Sequence, residues 1–398
     1  MSERPPFSAR VVERIADIDQ YVWQACARSE GGDASYNPFV DHRFLKALED
    51  SGAVGPGTGW TPAHLALEDA SGAAAGFAPC YLKSHSQGEY VFDHAFADAY
   101  ERAGGRYYPK LQVAAPFTPA TGPRLLVAPG QDRQAAQTAL AAALRGLMRQ
   151  IGASSAHVTF ATEAEQALLV QQGFLARTDQ QFHWRNEGYG SYDDFLAALS
   201  SRKRKQLKRE RREALADGIV IRHLTGADLT EAHWDAFFAF YLDTGSRKWG
   251  RPYLNRRFFS LIGETMPERI LLVIAEHDGR PIAGALNFIG GDALYGRYWG
   301  AIEDRPFLHF EVCYHQAIDA AIARSLPRVE AGAQGEHKLA RGYRPVTTYS
   351  AHAFADPELA RAVKTYLARE RRYVSEVQDA LEAATPFRRA EAAAEEGA

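Results

Sequence analysis

Three scarcities in this sequence each close off a class of protein. Cysteine is scarce: Cys26, Cys80 and Cys313 are all there is in 398 residues. An odd, scattered set is neither a disulfide framework nor a zinc-site spacing, so a reducing compartment fits and a cytoplasmic location is expected. Long apolar runs are missing. No stretch approaches the roughly 18 consecutive apolar residues of a membrane span. The charged start (Arg10, Glu13, Arg14, Asp17) holds no apolar signal core. Charge of one sign is also missing. With 46 basic against 49 acidic side chains and a net charge of −3, the chain has no general attraction for nucleic acid or an anionic membrane. Any such binding needs a local patch.

What is present is an ordinary globular mixture, 46% apolar and 24% charged. At roughly 150 residues per domain the length predicts two or three domains. The Ala/Glu-rich end, from about 385 to 398, has no large apolar residue after Phe387 and is expected to fray.

Laid side by side, the two halves repeat one another. Leu65 to Ala78 reads as a hairpin turning at Ser71-Gly72, and Val273 to Leu286 as a hairpin turning at Asp278-Gly279. Gly supplies the positive φ that such a turn needs. Each hairpin precedes an Ala-rich helix, about 133–151 and about 310–324. A short strand follows each helix, about 156–161 and about 328–332. Each half then closes on a helix stopped by a glycine and an aromatic, Gly173-Phe174 and Gly342-Tyr343, before a final strand. The predicted domains are 1–188 and 219–384, with a linker at 189–218 and a flexible tail at 385–398. The block at about 85–122 has no counterpart in the second half.

The linker reads as one long polar helix, with Ser191 and Asp194 as a capping box and Gly218 as its stop. Phe195, Leu196, Leu199 and Leu207 form its apolar stripe. Arg202, Lys203, Arg204 and Lys205 open a basic run suited to phosphates on tRNA, a nucleotide or a phosphorylated acceptor. A solvated face is the plainer reading of the same run.

The order of hairpin, long strand, helix, strand, Gly-aromatic ending and final strand resembles the GNAT acyltransferase fold. Asn37-Pro38-Phe39, Gly55 to Trp60, Tyr81 to Ser86, Gly88 to Asp93, Tyr107 to Gln112 and Pro116 to Pro119 carry a closer resemblance. So do Ser201 to Lys205, His309-Phe310-Glu311 and Gly332 to Lys338. In these the chain resembles the FemAB-like predicted N-acyltransferases, some labelled peptidoglycan biosynthesis or recognition proteins. The resemblance implies an α/β fold of two tandem GNAT-like domains, each a mixed central sheet flanked by helices, joined by the basic helix. It implies transfer of an acyl or aminoacyl group to an amine, small-molecule or peptide. Acyl-CoA or aminoacyl-tRNA would be the co-substrate, so tRNA is a candidate partner and no tightly bound cofactor is expected. One departure stands out. Where acyl-CoA enzymes of this fold have a glycine-rich pyrophosphate turn, Glu303 to His309 has no glycine and contains Pro306, which lacks a donor.

Acyl transfer to an amine needs a proton acceptor and donors for the oxyanion. The second half gathers candidates densely. Glu311, Glu330 and Glu336 are candidate bases, His337 stands beside them, and Lys338 or Tyr298 is a candidate donor. His309, His315 and Gln334 are expected to line the same site, with Arg247 and Trp249 from a neighbouring loop. The His and Glu residues have no tight metal-ligand spacing, so no metal is expected. In the unrepeated block, Asp93, Tyr107, Tyr108, Lys110, Gln112 and Thr118 read as an acceptor pocket, or as aromatics that pack the block onto its domain. The rival to the enzyme is a binding protein of the same fold that recognises a cell-wall precursor or a phosphorylated ligand. A third reading, RNA association, rests on the basic helix alone.

Overall fold

Both turn dipeptides close hairpins in the structure, a computed structural model that describes residues 6–28, 32–248, 252–332 and 335–388. The side chains of residues 246–248 and of Glu336 lie outside that description, as do Trp249 and Gln334. In chain order the first strands are β1 (Phe7–Val12), β2 (Trp60–Pro62), β3 (His64–Asp69), β4 (Ala74–Ala78), β5 (Cys80–Lys83), β6 (Lys110–Val113), β7 (Leu126–Val127) and β8 (Ser155–Ala161). Then come β9 (Leu175–Arg185), β10 (Val220–Leu224), β11 (Ile270–His277), β12 (Arg280–Ile289), β13 (Ala293–Ala301), β14 (Arg328–Glu330) and β15 (Arg344–Phe354). The β11–β12 turn has both Asp278 and Gly279 at positive φ, 51° and 71°, the two-residue geometry that matches strand twist.

The chain divides into two compact units, and neither is contiguous. Unit 1 comprises residues 1–179 and 347–375, and unit 2 comprises 180–346 and 376–398. The contiguous segments 1–188 and 219–384 read from the repeat therefore do not coincide with the compact units. The reason is the final strand of each half. The β15 stretch Tyr349–Phe354 pairs antiparallel with β8 in unit 1, while the β9 stretch His183–Arg185 pairs antiparallel with β14 in unit 2. Each half of the sequence thus finishes the other half's sheet.

In unit 1, one sheet runs β1-β3-β4-β7 and the other β15-β8-β6-β5-β2. Helix Arg133–Gln150 buries Ala136, Leu140, Leu144 and Leu147, a helical spacing, in a core with Val113, Val158, Ala351 and Ala353. Asp132 caps its start by accepting from the Ala135 N–H. The block at 85–122 is less separate than the repeat suggested. Its β6 is antiparallel to β5 and parallel to β8, just as β13 is antiparallel to β12 and parallel to β14. Residues 110–113 are thus the counterpart of β13, disguised in sequence by the aromatic and polar residues around them.

In unit 2 the order is β10-β11-β12-β13-β14-β9. Strand β11 is buried from Ile270 to Ala275, as a central strand with both faces covered must be. Helix Glu231–Lys248 lies so close to β13 that a Cβ at Gly300 would stand 2.1 Å from the Phe240 carbonyl oxygen.

Two helical expectations change. The linker is two helices, Tyr192–Ala198 and Ser201–Ala214. Leu199 is extended (φ −86°, ψ 156°) and fully buried. The break is held by the tail: Ser200 N–H donates to the Pro386 carbonyl, and Arg388 N–H to that of Ala198. Residues 386–388 are therefore anchored rather than frayed, and 389–398 lie outside the described residues. The helix expected at 310–324 spans 308–323, and its stretch Glu311–His315 is π-helical. One extra residue per turn there swings side chains out of the α-helical register, a device common at functional sites. The turn before it holds Phe307 at φ 59°, where a left-handed residue would ordinarily be glycine.

Candidate functional site

Strands β13 and β14 run parallel but are paired only over Ala293–Tyr295 with Arg328–Glu330. Beyond Tyr295 strand β13 continues to Ala301 without that neighbour, and the register of β12 against β13 shifts at Leu286/Asn287. Two adjoining pockets form a cleft here. One, about 140 Å³, is lined by Asn287, Arg297, Tyr298, Cys313, Tyr314 and Ala331, among others. The other, about 250 Å³, is lined by Thr244, Glu303, Asp304, Arg305 and Leu308. Trp299 and His309 line both, with ring centroids 5.1 Å apart. Two sequence candidates, Tyr298 and His309, thus meet at the cleft.

Lys338 is buried beside this cleft. Its Nζ donates to the carbonyls of Ala331, a lining residue, and Gly332, at 2.5 and 3.1 Å. Burial pushes its pKa down to about 8; Cys313 opposes the shift and the Arg297 guanidinium adds to it. The ammonium therefore gives up its proton within reach of neutral pH. His337 is exposed, and its Nε2 lies 3.0 Å from the Tyr314 hydroxyl. The turn Glu336–Arg341 that carries both residues is pinned by Arg341, which donates to the His337 carbonyl at 2.7 Å and pairs with Glu210 at 2.7 Å.

The other candidate carboxylates are occupied. Glu311 is fully buried and accepts two bonds from Arg211, at 2.9 and 3.1 Å, plus one from Gln316. Glu330 is buried in an ion pair with Arg328 at 3.1 Å and faces His183 at 3.8 Å. His315 is buried, its Nδ1 2.6 Å from the Tyr192 hydroxyl and its Nε2 3.9 Å from Glu210. Burial lowers the His315 pKa and so favours the neutral ring. Glu311 and His315 are brought together with helix Ser201–Ala214, whereas Glu330 sits with Arg328 and His183, and none of the three is among the cleft's lining residues. Sequence reasoning missed Glu210, Arg341 and Tyr192, which organise this network. On that helix Arg202 and Lys205 are exposed and Lys203 and Arg204 half-buried, while Leu207, Glu210 and Ala214 face inward.

Unit 1 holds a second polar cluster. Strand register sets Lys83 opposite Lys110, Gln112 opposite His157, and His157 opposite His352, so one sheet face carries all five. Lys110 pairs with Glu89 at 2.8 Å and Asp93 at 2.5 Å, and donates to Ser86 at 2.7 Å. The Tyr107 hydroxyl donates to Asp93 at 2.7 Å. Lys83 sits 3.7 Å over the Trp60 ring and 3.4 Å from Glu89. Burial pushes the Lys83 pKa down to about 7, against the pull of Glu89, and raises that of Glu89. Burial would raise that of Asp93 too, but the Lys110 ammonium outweighs it and holds Asp93 below its ordinary value. The imidazoles meet Nδ1 to Nδ1 at 2.6 Å, and burial keeps both neutral, with His157 down at about 3. Gln112 donates to Thr159, the Tyr108 hydroxyl bonds Ser86, and Thr118 is buried. Lys83, Glu89, His157 and His352 were not anticipated. Their only sequence signal, lone charges in apolar runs, needs the strand register to be read.

Arg247 and Glu336 are described in backbone only, within helix Glu231–Lys248 and the turn Glu336–Arg341. Trp249 and Gln334 lie outside the described residues. Among the described residues no group of three or more His, Cys, Asp or Glu could hold a metal ion, and no helix is long and apolar enough to cross a membrane.

Comparison with known proteins agrees with this architecture. A FemAB-like family model, described as peptidoglycan biosynthesis/recognition, matches residues 14–389. Among solved structures, FemX is similar in fold at 12% identity and a TM-score of 0.54, over 87% of this chain and 98% of that one. The C-terminal domain of a lysylphosphatidylglycerol synthetase from Agrobacterium fabrum is similar at 9% identity and a TM-score of 0.53, over 86% and 96%. A tandem GNAT protein from the clavulanic acid pathway aligns at 12% identity and a TM-score of 0.47, over 88% and 99%. No curated protein matches the sequence.

Proposed function

Because this chain belongs to the FemAB-like peptidoglycan biosynthesis/recognition family, we propose that it is an N-acyltransferase that moves an acyl or aminoacyl group to an amine in the unit 2 cleft. The observation that carries this reading is the parting of β13 from β14 after Tyr295. It leaves a stretch of β13 with no parallel neighbour along which an extended acyl group can lie, with a titratable lysine at its side. Attack by the acceptor nitrogen on the acyl carbonyl forms a tetrahedral oxyanion. The Lys338 ammonium or the Tyr298 hydroxyl stabilises it, and its collapse expels the donor's oxygen or sulfur. A neutral amine attacks; the ammonium so formed must lose one proton, and Glu336 or His337 of the adjacent turn takes it. Glu311 and Glu330, committed to arginines, are structural in this scheme.

The donor is acyl-CoA or aminoacyl-tRNA. The exposed Arg202 and Lys205, with Lys203 and Arg204, offer charge to its phosphates. Purified protein incubated with labelled acyl-CoA mixtures or with charged tRNA, in the presence of amine pools including peptidoglycan precursor peptides, is expected to consume one donor. If neither donor is consumed with any acceptor, the transferase reading fails, and a precursor-binding protein of this fold replaces it.

A further inference from the structure

Aromatic side chains stand exposed at five places among the described residues, and three of the five, Phe92, Tyr366 and Tyr373, belong to unit 1. They are 58%, 47% and 67% exposed. Arg177 gathers them. Its guanidinium donates to the Phe92 carbonyl and pairs with Glu370, each at 2.8 Å, and lies 5.4 Å from the centroid of the Phe96 ring. The Tyr366 hydroxyl donates to the same Glu370 at 3.3 Å, and its ring meets Phe96 edge-on at 5.5 Å. Tyr366 and Tyr373 are seven residues apart in helix Pro357–Ala383. They therefore share one side, two turns and about 10 Å apart along the axis. The same helix supplies charge. Leu359, Val363 and Leu367 turn inward at a helical spacing, while Arg361, Lys364, Arg369 and Arg372 are all exposed. The one acid between Arg361 and Arg372 is Glu370, which Arg177 holds. The exposed acids Asp98 and Glu101 belong to the neighbouring helix His94–Arg102, so the positive field is that of this helix face.

We propose that this aromatic and basic face of unit 1 docks peripherally on a bilayer rich in anionic phospholipid. Tyrosine rings settle at the headgroup level, apolar body inward and hydroxyl outward, and Arg and Lys beside them draw the face to negative headgroups. Each such cation raises partitioning onto an anionic surface about fivefold. The net charge of −3 gives the chain no general attraction to that surface, so binding depends on the local face. A single-stranded nucleic acid would also meet the charge, but it needs open ring faces on which to stack its bases. Phe92 already stacks on His94, and Tyr366 is held edge-on to Phe96. The proposal is independent of the transferase reading.

The experiment floats the full-length protein with vesicles of phosphatidylcholine alone and of phosphatidylcholine with an equal part of phosphatidylglycerol. Binding to the anionic vesicles is expected to exceed that to the neutral ones about tenfold or more, and to fall away in high salt. Arg369→Gln combined with Arg372→Gln should weaken it about tenfold or more. Tyr373→Ser should weaken it severalfold while leaving its salt dependence unchanged. Circular dichroism checks that the variants fold. Equal binding to both kinds of vesicle, or no binding to either, overturns the proposal without recourse to any variant. Undiminished binding by the folded Arg369→Gln/Arg372→Gln protein does so as well. Binding of single-stranded RNA without binding of anionic vesicles overturns it too, and gives the face to nucleic acid instead.

Discussion

Lys338 and Glu210 show how burial decides what an ionisable residue can do. Lys338 has its pKa near 8 because it is desolvated, its described hydrogen bonds going to the carbonyl oxygens of Ala331 and Gly332. Lys338→Met should reduce turnover about 10²-fold or more, the scale for loss of an oxyanion donor, in a labelled-donor assay. The wild-type rate should fall above about pH 8, and Lys338→Arg, which stays protonated, should abolish that limb of the pH profile. Glu210 makes the opposite bargain. It and Arg341 are both buried and compensate each other at 2.7 Å. Glu210→Gln leaves the guanidinium buried without its counter-charge and should destabilise the protein by about 3–5 kcal/mol, read from urea unfolding. Both residues stood in plain view in the sequence, Lys338 inside a motif and Glu210 inside a basic run. Only Lys338 was singled out, because a partner 131 positions away in sequence leaves no local trace.

Single elements were legible where their signal is local. The Asp278-Gly279 turn, the helix at 133–150 and the Gly173 stop follow from turn chemistry and periodicity. The linker helix was misjudged because Ser191, the apolar stripe and Gly218 are all sound helix signals, and the break at Leu199 comes from residues 386–388. Truncation after Ala384 should therefore expose Leu199 and Phe195 and lower the stability by about 1–3 kcal/mol, measured as a fall in melting temperature. The row Lys83, Lys110, Gln112, His157, His352 is also an element-scale feature, made by register. Its imidazoles are neutral in the fold. Burial takes His157 from its ordinary 6.5 to about 3, so between those values the unfolded chain binds the proton first and stability falls as pH falls. The slope for this residue is about 1.4 kcal/mol per pH unit. His157→Gln should flatten the acid limb of a stability–pH curve by that amount; an unchanged slope would show that the ring protonates equally in both states.

At the scale of the whole molecule, each half's last strand belongs to the other half's sheet. A fragment of residues 1–188 should therefore fail to fold, since β8 loses β15, the core around Leu140 loses Ala351 and Ala353, and Phe96 and Tyr107 lose Leu359, Val363 and Leu367. Circular dichroism would show no cooperative melt, whereas an independently folding fragment would contradict the exchange. The sequence by itself determined two α/β repeats, their hairpins, their family, and the dense polar segment at 309–338, because turn residues, periodicity and motifs are local and survive without neighbours. The tertiary structure decided which of those polar residues face the cleft, that Arg211 consumes Glu311 and Arg341 consumes Glu210, and which strand completes which sheet. Those outcomes depend on ion pairs and ladder bonds between residues 100 or more positions apart. Pairing at that range is selected by the geometry of the assembled core, not by the composition of either segment.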